Sequence, residues 1–244
     1  MTNPKFSVVI PAYNEEKYLP RCFSSLEKQT LPKEDFEIVV VDNGSTDKTA
    51  KVAKDLGAKV ILEPRKGVVF ARQRGAEEAR GKIIAFTDAD TRVPPDWLET
   101  IGKAFEKDDS LVCVVGPVSY PTRDIFVKSY ALVLQFLVKS LQAPGLCFNG
   151  QNFAVRKEIF DKAAGFDLRF GPIGAEHHLL KRLEPYGKIK VLPGLSVFSS
   201  PRRFQRAGYL KTLSTYFLLE ASVFLDFPLL SSFKCATELK KKRN

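Results

Sequence analysis

Cysteine is scarce in this chain, and so are long uncharged apolar runs. Four cysteines among 244 residues stand far apart without a Cys-x-x-Cys pair, so neither a zinc knuckle nor a disulfide framework is indicated, and a reducing compartment fits best. The longest uncharged stretch, 140–155, is broken by Pro144, Gly145 and Gly150 and falls short of the ~18 residues that a spanning helix needs. The first residues lack the basic start and apolar core of a signal peptide. We therefore expect neither a secreted protein nor a single-span membrane protein.

Acidic residues are outnumbered, because 38 Lys and Arg against 28 Asp and Glu leave a net charge of +10. Residues 201–244 hold nine basic and three acidic residues, and so carry +6 of that charge. The basic residues flank an apolar segment, 209–233, and this combination favours an anionic membrane surface as a partner. A C-terminal helix packed on the core with a solvated tail stays equally open. The positive charge alone would also permit binding of nucleic acid. No basic-aromatic motif supports such binding, so we do not expect nucleic acid as a partner.

Short β-branched runs alternate with helix-length segments through the first half of the chain. This alternation indicates an α/β domain with a mostly parallel sheet, whose ligand sites lie at the carboxyl ends of the strands. The second half is less regular. Strands are predicted at 7–10, 37–41, 59–62, 82–86, 112–118, 151–155 and 188–192, and helices at 17–29, 46–57, 68–80, 95–107, 123–141, 156–163 and 176–184.

Polar motifs follow three of the predicted strands. Pro11-Ala-Tyr-Asn-Glu-Glu16 follows the first, with Asn14 as the predicted N-cap of a helix. Asp42-Asn-Gly-Ser-Thr-Asp47 follows the second, where Ser45 or Thr46 can start the next helix. Phe86-Thr-Asp-Ala-Asp90 ends the fourth and sets two carboxylates in a DXD pattern. Such a like-charge pair needs a cation, and oxygen ligands favour Mg²⁺ or Mn²⁺ over zinc.

Together these motifs resemble those of the family-2 glycosyltransferases, nucleotide-sugar-dependent enzymes with a GT-A fold. The likeness extends over about the first 100 residues and is carried by Ser7–Glu16, Val39–Asp47, Lys66-Gly67 with Ala71–Gly75, and Phe86–Asp90. It implies a GT-A type, Rossmann-like, mostly parallel sheet flanked by helices, with a C-terminal helical appendage. The implied domain covers 1–200, with a nucleotide-sugar-binding half at 1–118 and an acceptor half at 119–200. A basic, apolar helical segment follows at 201–244.

The resemblance also implies roles for single residues. Asp90, together with Asp88, would bind Mg²⁺ or Mn²⁺. Arg202 and Arg203 would hold the donor diphosphate, since guanidinium groups match phosphate oxygens, although a solvated basic face is an equal alternative. The remaining contacts to the nucleotide sugar would come from Pro11, Tyr13, Glu15, Asp42, Arg72 and Asp88.

The acceptor half contains a candidate general base. Gly174-Ala-Glu-His-His178 aligns without a gap to the family's Gly-Glu-Asp motif, whose Asp is the base. Glu176 falls on the base position, Ala175 replaces the usual Glu, and His178 replaces a usual acid. A Glu favoured only by the helix dipole is the competing interpretation of Glu176. His178 is a weaker candidate for an active-site or metal contact.

Two further stretches and one single residue resemble the family. Gly150-Gln-Asn-Phe-Ala154 and Gly165-Phe-Asp167 are similar to its acceptor-side landmarks. Trp97 matches a family position near the metal loop, although a structural role as a helix anchor is favoured.

The resemblance implies an inverting, metal-dependent glycosyltransferase that moves a sugar from a nucleotide-diphosphate donor to an acceptor. A lipid-linked phosphate or a glycan is the expected acceptor, because 125–138 and 209–233 are apolar and flanked by basic residues. A non-catalytic, nucleotide-sugar-binding or membrane-associated module remains an alternative because of Ala175. A sugar nucleotidyltransferase ranks lower, since Pro11–Glu15 is not a Gly-rich, Arg-containing loop. We expect a cytoplasmic protein, with peripheral contact at the inner face of the membrane as a further hypothesis.

Overall fold

The computed structural model describes residues 3–121, 129, 150–170 and 172–202. Three features singled out in the sequence fall outside these residues: almost all of the helix predicted at 123–141, the apolar segment at 209–233, and Arg203.

Strands and helices alternate as the sequence pattern predicts. The α-helices are α1 (Leu19–Leu26), α2 (Thr49–Asp55), α3 (Val68–Glu77), α4 (Trp97–Lys107), α5 (Lys157–Lys162) and α6 (Pro172–Leu183). The strands are β1 (Phe6–Ala12), β2 (Phe36–Asp42), β3 (Lys59–Leu62), β4 (Ile83–Phe86), β5 (Thr91–Arg92), β6 (Leu111–Val115), β7 (Val118–Ser119), β8 (Phe153–Arg156), β9 (Lys188–Val191) and β10 (Val197–Ser199).

Seven strands form one sheet in the order β3-β2-β1-β4-β8-β6-β9. Every neighbouring pair is parallel except the two that involve β8, which runs antiparallel to both β4 and β6. Phe86, the last residue of β4, lies opposite Phe153, the first residue of β8. The start of β8 therefore lies at the edge where the parallel strands end. A small second sheet, β5-β10-β7, adjoins this edge.

Apolar side chains cover both faces of the large sheet, because β1, β4 and β6 are buried along their whole length. On one face, Val69 and Ala76 of α3 pack with Phe160 of α5 and Leu179 of α6. On the other face, residues of α1 and α4 pack around Trp97. The resulting helix–sheet–helix layers confirm the expected α/β class.

Several local predictions were wrong in their details. Asn14 does not cap α1, which begins at Leu19 after Tyr18. Asn14 instead adopts a positive φ of 56°, and its Oδ1 accepts a hydrogen bond from the Thr46 amide at 2.8 Å. Helix α2 begins at Thr49 rather than at Ser45 or Thr46.

The predicted strand at 112–118 is two strands, β6 and β7, since Gly116-Pro117 interrupts the run. Strand β5 was not predicted, because two residues carry no periodicity. Among the residues that the structure describes, no helix has the length and apolar character needed to cross a bilayer.

Candidate active site

The polar motifs meet at the carboxyl edge of the large sheet. Pro11 lies within β1, Asp42 ends β2, and Asp88 and Asp90 follow β4. Because β1 lies between β2 and β4 in a parallel arrangement, these three chain segments are neighbours. The motifs at the strand ends thus lie together at one edge, as the sequence pattern predicts.

The loops after β1 and β2 are joined by hydrogen bonds between their side chains and backbone. The Asn14 amide donates to Ser45 Oγ at 2.9 Å, and the Glu15 amide donates to Thr49 Oγ1 at 2.7 Å. Asp42 Oδ1 accepts from the Ser45 amide at 3.0 Å, which closes the turn that Gly44 makes at a φ of +77°. Tyr13 remains about half exposed at the rim of the site.

Asn43 holds the loop of residues 63–67, which follows β3, in place by hydrogen bonds. It was not among the residues singled out in the sequence. Its Nδ2 donates to the carbonyl oxygens of Glu63 (2.9 Å) and Arg65 (2.6 Å), and its Oδ1 accepts from the Gly67 amide at 2.8 Å. The side chain therefore holds residues 63–67 against the end of β2. The sequence did contain a sign of this role, because Asn43 stands between Asp42 and Gly44. Asn is frequent in turns, where its side chain forms hydrogen bonds to nearby backbone groups.

A second cluster lies around the DXD carboxylates. Arg202 Nε contacts Asp90 Oδ2 at 2.7 Å, and Arg202 Nη2 donates to Glu15 Oε1. The guanidinium also lies over the Tyr18 ring, with Cζ 4.3 Å from the ring centroid. Burial alone would lower the pKa of Arg202, but the Glu15 hydrogen bond and the charge of Asp90 raise it. The structure thus joins Arg202 to Glu15 and Asp90, residues separated from it by more than one hundred positions in the chain.

The carboxyl group of Glu15 interacts electrostatically with the two carboxylates of the DXD motif. Burial raises the pKa of its carboxyl group, Arg202 opposes that rise, and the charges of Asp90 and Asp88 add to it. Its Oε2 is buried without a hydrogen-bond partner. Burial and the neighbouring carboxylates therefore both disfavour the ionised form of Glu15, and Arg202 opposes them.

A third cluster centres on Arg72 of α3, whose side chain is 4% exposed. Nη1 donates to Glu176 Oε1 at 2.6 Å, and Nη2 donates to Asp88 Oδ1 at 3.0 Å. Glu176 Oε1 also accepts from the Gly150 amide at 2.9 Å. Arg72 therefore connects the candidate base on α6 with the first aspartate of the DXD motif.

A Cβ at position 150 would lie 2.0 Å from Arg72 Cζ, so a larger residue than Gly150 would displace the guanidinium. Burial raises the pKa of Glu176 to about 7, and the charge of Asp88 acts in the same direction. Arg72 and the Gly150 amide oppose the rise. A carboxyl group with that pKa can accept a proton near neutral pH.

The other acceptor-side landmarks have structural contacts. Asp167 accepts from the guanidinium groups of Arg169 (2.7 Å) and Arg182 (2.9 Å), and these arginines hold its pKa well below its usual range. The His178 ring stacks on Phe170, with centroids 3.8 Å apart.

Trp97 is a buried helix anchor, as favoured from the sequence. Its Nε1 donates to Asn152 Oδ1 at 3.0 Å, and Asn152 Nδ2 donates to the carbonyl oxygens of Pro117 (3.0 Å) and Leu195 (2.5 Å). Asn152 therefore ties α4, which follows the DXD loop, to the start of β8. In the sequence, Asn152 stood out only as part of a landmark.

The donor set at the DXD loop fits a divalent cation that is shared with phosphate oxygens. Among the described residues, no three His, Cys, Asp or Glu side chains are arranged to enclose a metal by themselves. Mg²⁺ and Mn²⁺ need no such cage when one or two carboxylates and a diphosphate supply the ligands. Asp88, Asp90 and the unpartnered Oε2 of Glu15 provide oxygen ligands of that kind.

Comparison with known proteins gives consistent results. The sequence profile described as glycosyl transferase family 2 matches residues 7–163. Glycosyltransferase AglE of Haloferax volcanii is 38% identical over 194 residues, which are 76% of this chain and 63% of that protein. The putative glycosyltransferase EpsH of Bacillus subtilis is 34% identical over 119 residues, 46% of this chain and 34% of that protein. The chain thus spans less than two thirds of these relatives.

Solved structures share the fold. TarS 1–349 of Staphylococcus aureus in complex with UDP superposes with a TM-score of 0.66 at 21% identity, over 93% of this chain and 67% of that chain. The mannosyltransferase PcManGT of Pyrobaculum calidifontis, in complex with GDP-Man and Mn²⁺, gives a TM-score of 0.67 at 23% identity, over 95% of this chain and 72% of that chain. These likenesses confirm the expected GT-A fold.

Proposed function

The chain belongs to glycosyl transferase family 2, and from this we propose that it transfers a sugar from a nucleoside-diphosphate donor to an acceptor hydroxyl with inversion. The observation that carries the proposal is the Arg72 bridge. One buried guanidinium contacts both Asp88, on the donor side, and Glu176, in the candidate base motif. The candidate base and the donor-side carboxylate share one positively charged partner. They therefore lie close enough together to act on the same reacting atoms.

The donor would lie along the carboxyl edge of β1, β2 and β4. In this proposal Pro11, Tyr13 and Asp42 contact the nucleoside, and Asp88 and Asp90 hold Mg²⁺ or Mn²⁺. Arg202, together with Arg203 as the sequence motif predicts, would bind the diphosphate. When bound, the cation neutralises charge that develops on the leaving diphosphate. The solved structures that share this fold and contain UDP, or GDP-Man and Mn²⁺, support this class of donor.

The acceptor chemistry would depend on Glu176. The acceptor oxygen forms a bond to the anomeric carbon while the bond from that carbon to the phosphate oxygen breaks. The electron pair of the broken bond leaves with the diphosphate, and the hydroxyl proton passes to Glu176. The pKa of about 7 supports this role, because such a carboxylate is a stronger base than an ordinary Glu and is still substantially ionised at neutral pH.

A nucleotide screen tests the donor side. UDP, GDP, CDP and dTDP are each added with and without Mn²⁺, and the melting temperature is recorded. We expect one nucleotide to stabilise the protein only when Mn²⁺ is present, by an amount that grows with ligand concentration. Asp90→Asn should abolish the metal-dependent part. Absence of a shift with all four nucleotides would contradict the donor assignment.

The alternative of a non-catalytic module rests on Ala175, which stands where the family has Glu, and on the engagement of Glu176 by Arg72. The variant Glu176→Gln separates the two functions. A transferase should lose turnover of the donor and keep nucleotide binding, whereas a binding module has no turnover to lose. A sugar nucleotidyltransferase ranks below both, because the loop after β1 has no Gly-rich, Arg-containing sequence.

The acceptor is proposed as a lipid-linked phosphate or a glycan, and the basic C-terminal segment as the part that meets an anionic membrane. Support comes from the sequence, in which residues 201–244 carry +6 of the net charge of +10. In the same proposal, residues 1–118 bind the donor, 119–200 bind the acceptor, and the protein works in the cytoplasm at the inner face of the membrane.

A further inference from the structure

Arg202 occupies the space beside the carboxylates to which the proposed function assigns the divalent cation. Its guanidinium contacts Asp90 Oδ2 through Nε and Glu15 Oε1 through Nη2. It also lies over the Tyr18 ring, so three groups fix one planar cation. This geometry is not that of a solvated surface arginine.

Electrostatics explains why a cation is needed there. Glu15 is 9% exposed, and its carboxylate shares the Arg202 guanidinium with Asp90. Buried carboxylates that lie close together are stable in their ionised form only when a positive charge compensates them. Arg202 supplies one charge, and the unpartnered Glu15 Oε2 leaves an acceptor for more.

We propose that Arg202 is the resident counter-ion of the cation site, and that a divalent metal must displace its guanidinium from Asp90 and Glu15 in order to bind. The inference rests on the proposed function, which puts the metal at Asp88 and Asp90. Metal alone then binds weakly, because it competes with a charge tethered at the site. A donor diphosphate removes that competition by giving the displaced guanidinium new acceptor oxygens.

Cooperativity between metal and nucleotide follows from this exchange. If the diphosphate takes up Arg202, it raises the affinity for the metal, and by linkage the metal raises the affinity for the nucleotide by the same factor. Coupling of this kind commonly reaches roughly 5- to 150-fold. The chain would therefore favour the metal–nucleotide complex over either ligand alone.

The test measures Mn²⁺ binding to the full chain without nucleotide, by isothermal titration calorimetry and by the loss of free Mn²⁺ signal in electron paramagnetic resonance. Arg202→Ala should bind Mn²⁺ about tenfold more tightly than the wild type, a change within the usual range of coupling. Arg92→Ala is the matched control, since Arg92 is an exposed arginine of β5 only two positions from Asp90. This control removes the same charge without touching Asp90 or Glu15, and should change the affinity less than twofold.

Two further variants locate the effect. Arg202→Lys keeps the charge but loses the planar fork that reaches both carboxylates, so its gain in Mn²⁺ affinity should be smaller than that of Arg202→Ala. Adding Asp90→Asn to Arg202→Ala should remove the gain. Circular dichroism and the melting temperature establish that each variant is folded.

Equal Mn²⁺ affinities for wild type and Arg202→Ala would overturn the inference, and so would an equal gain in Arg92→Ala, because the effect would then be long-range charge. A gain that survives Asp90→Asn would also overturn it. If neither wild type nor Arg202→Ala binds Mn²⁺, the inference fails as well. Turnover of the donor, measured with and without a chelator, decides the proposed function separately.

Discussion

Arg72 is the residue through which the two sides of the site are connected. It is one buried cation between two carboxylates, Asp88 and Glu176. Removing one member of such a group leaves buried charge without compensation, which commonly costs about 3–5 kcal/mol. Its planar guanidinium reaches both partners at once, whereas an ammonium group is a single compact charge.

Arg72→Lys is therefore expected to retain the fold and lose most of the activity. A lysine can compensate part of the negative charge, but it cannot hold Asp88 and Glu176 in their present geometry. We expect kcat to fall at least about tenfold with a smaller change in donor KM, since misplacement of reacting groups affects the transition state most. Steady-state kinetics give both values. Arg72→Met should lower the free energy of unfolding well beyond Arg72→Lys, and equal kcat in wild type and Arg72→Lys would contradict a positioning role.

Glu176 should give the reaction a defined pH dependence. Burial raises its pKa to about 7, so the carboxylate that the proposed reaction uses as its base is lost as the pH falls below that value. We expect kcat/KM to decrease about tenfold per pH unit below the pKa and to level off above it. Glu176→Gln should remove this limb and lower kcat by about 10²- to 10⁴-fold. A flat profile between pH 5 and 8 in the wild type, pH values chosen to bracket the pKa of about 7, would argue against Glu176 as the base.

The raised pKa of Glu176 also makes stability depend on pH, and stability changes with pH in the direction opposite to activity. The pKa of Glu176 in the folded chain lies above its ordinary value of 4.5, so the folded state binds the proton more tightly than the unfolded state. The contribution of Glu176 to stability is complete below pH 4.5 and is lost as the pH rises through about 7. Activity and stability therefore make opposite demands on this one carboxyl group.

At the scale of elements, α3 controls the position of Arg72 by its close contact with the sheet. Gly75 of α3 lies where an added Cβ would meet Val9 Cγ1 at 2.4 Å and Val41 Cγ2 at 3.0 Å. Those two valines belong to β1 and β2. The helix can pack this closely only because residue 75 has no side chain.

Gly75→Ala should consequently push α3 away from the sheet and disturb the Arg72 bridge one turn earlier. Overpacking typically costs about 1–3 kcal/mol, and the better helix propensity of Ala returns about 1 kcal/mol. We expect a net loss of stability in urea unfolding, together with a fall in kcat. Gly194→Ala is the control, since a Cβ added at Gly194 would meet nothing within 4 Å, and it should change stability by less than about 0.5 kcal/mol. Equal stability of the two variants would contradict this prediction, because it would mean that α3 and the sheet accommodate the added methyl group at residue 75 without cost.

The elements that the sequence predicted correctly are those with a strong local pattern. The β-branched runs that became β1, β2 and β4 end in buried residues at the core of the sheet, and an apolar run indicates such a strand by itself. Where tertiary contacts decide, the sequence misled: Asn14 looked like a helix cap, but its side chain bonds across the site to Thr46. The reversed direction of β8 has no local signal either, because a strand pattern is the same in both directions.

At the scale of the whole molecule, the sequence predicted which edge of the sheet the candidate residues share, but not which of them form pairs. The rule that ligand sites lie at the carboxyl ends of parallel strands predicted, from the sequence alone, that Asp42, Asp88 and Asp90 lie at one edge of the sheet. The Arg202–Glu15 ion pair joins positions 187 residues apart, and the Arg72–Glu176 pair joins positions 104 apart. Pairings at such separations depend on the complete fold, so no spacing in the sequence encodes them.

The net charge of +10 makes a prediction for the whole chain. It should sediment with vesicles that contain about 30% anionic lipid at low salt and be released as salt rises, since screening weakens surface attraction. Replacing the four basic residues 240–243 by Gln lowers the formal charge to +6 (10 − 4) and should reduce the bound fraction. Vesicles of neutral lipid serve as the control. Absence of binding to anionic vesicles at low salt would contradict a membrane-facing role.

The reversed strand β8 has a consequence for how such a chain can diversify. The chain leaves the large sheet at Val115 and re-enters it at Phe153, and these two residues are register partners at the same edge. Whatever polypeptide connects them begins and ends at the edge that holds the candidate active site, so its length and sequence can change without altering the strand order of the large sheet. Insertions between these two residues would therefore vary the surroundings of the candidate site, while the strand order of the large sheet is inherited unchanged.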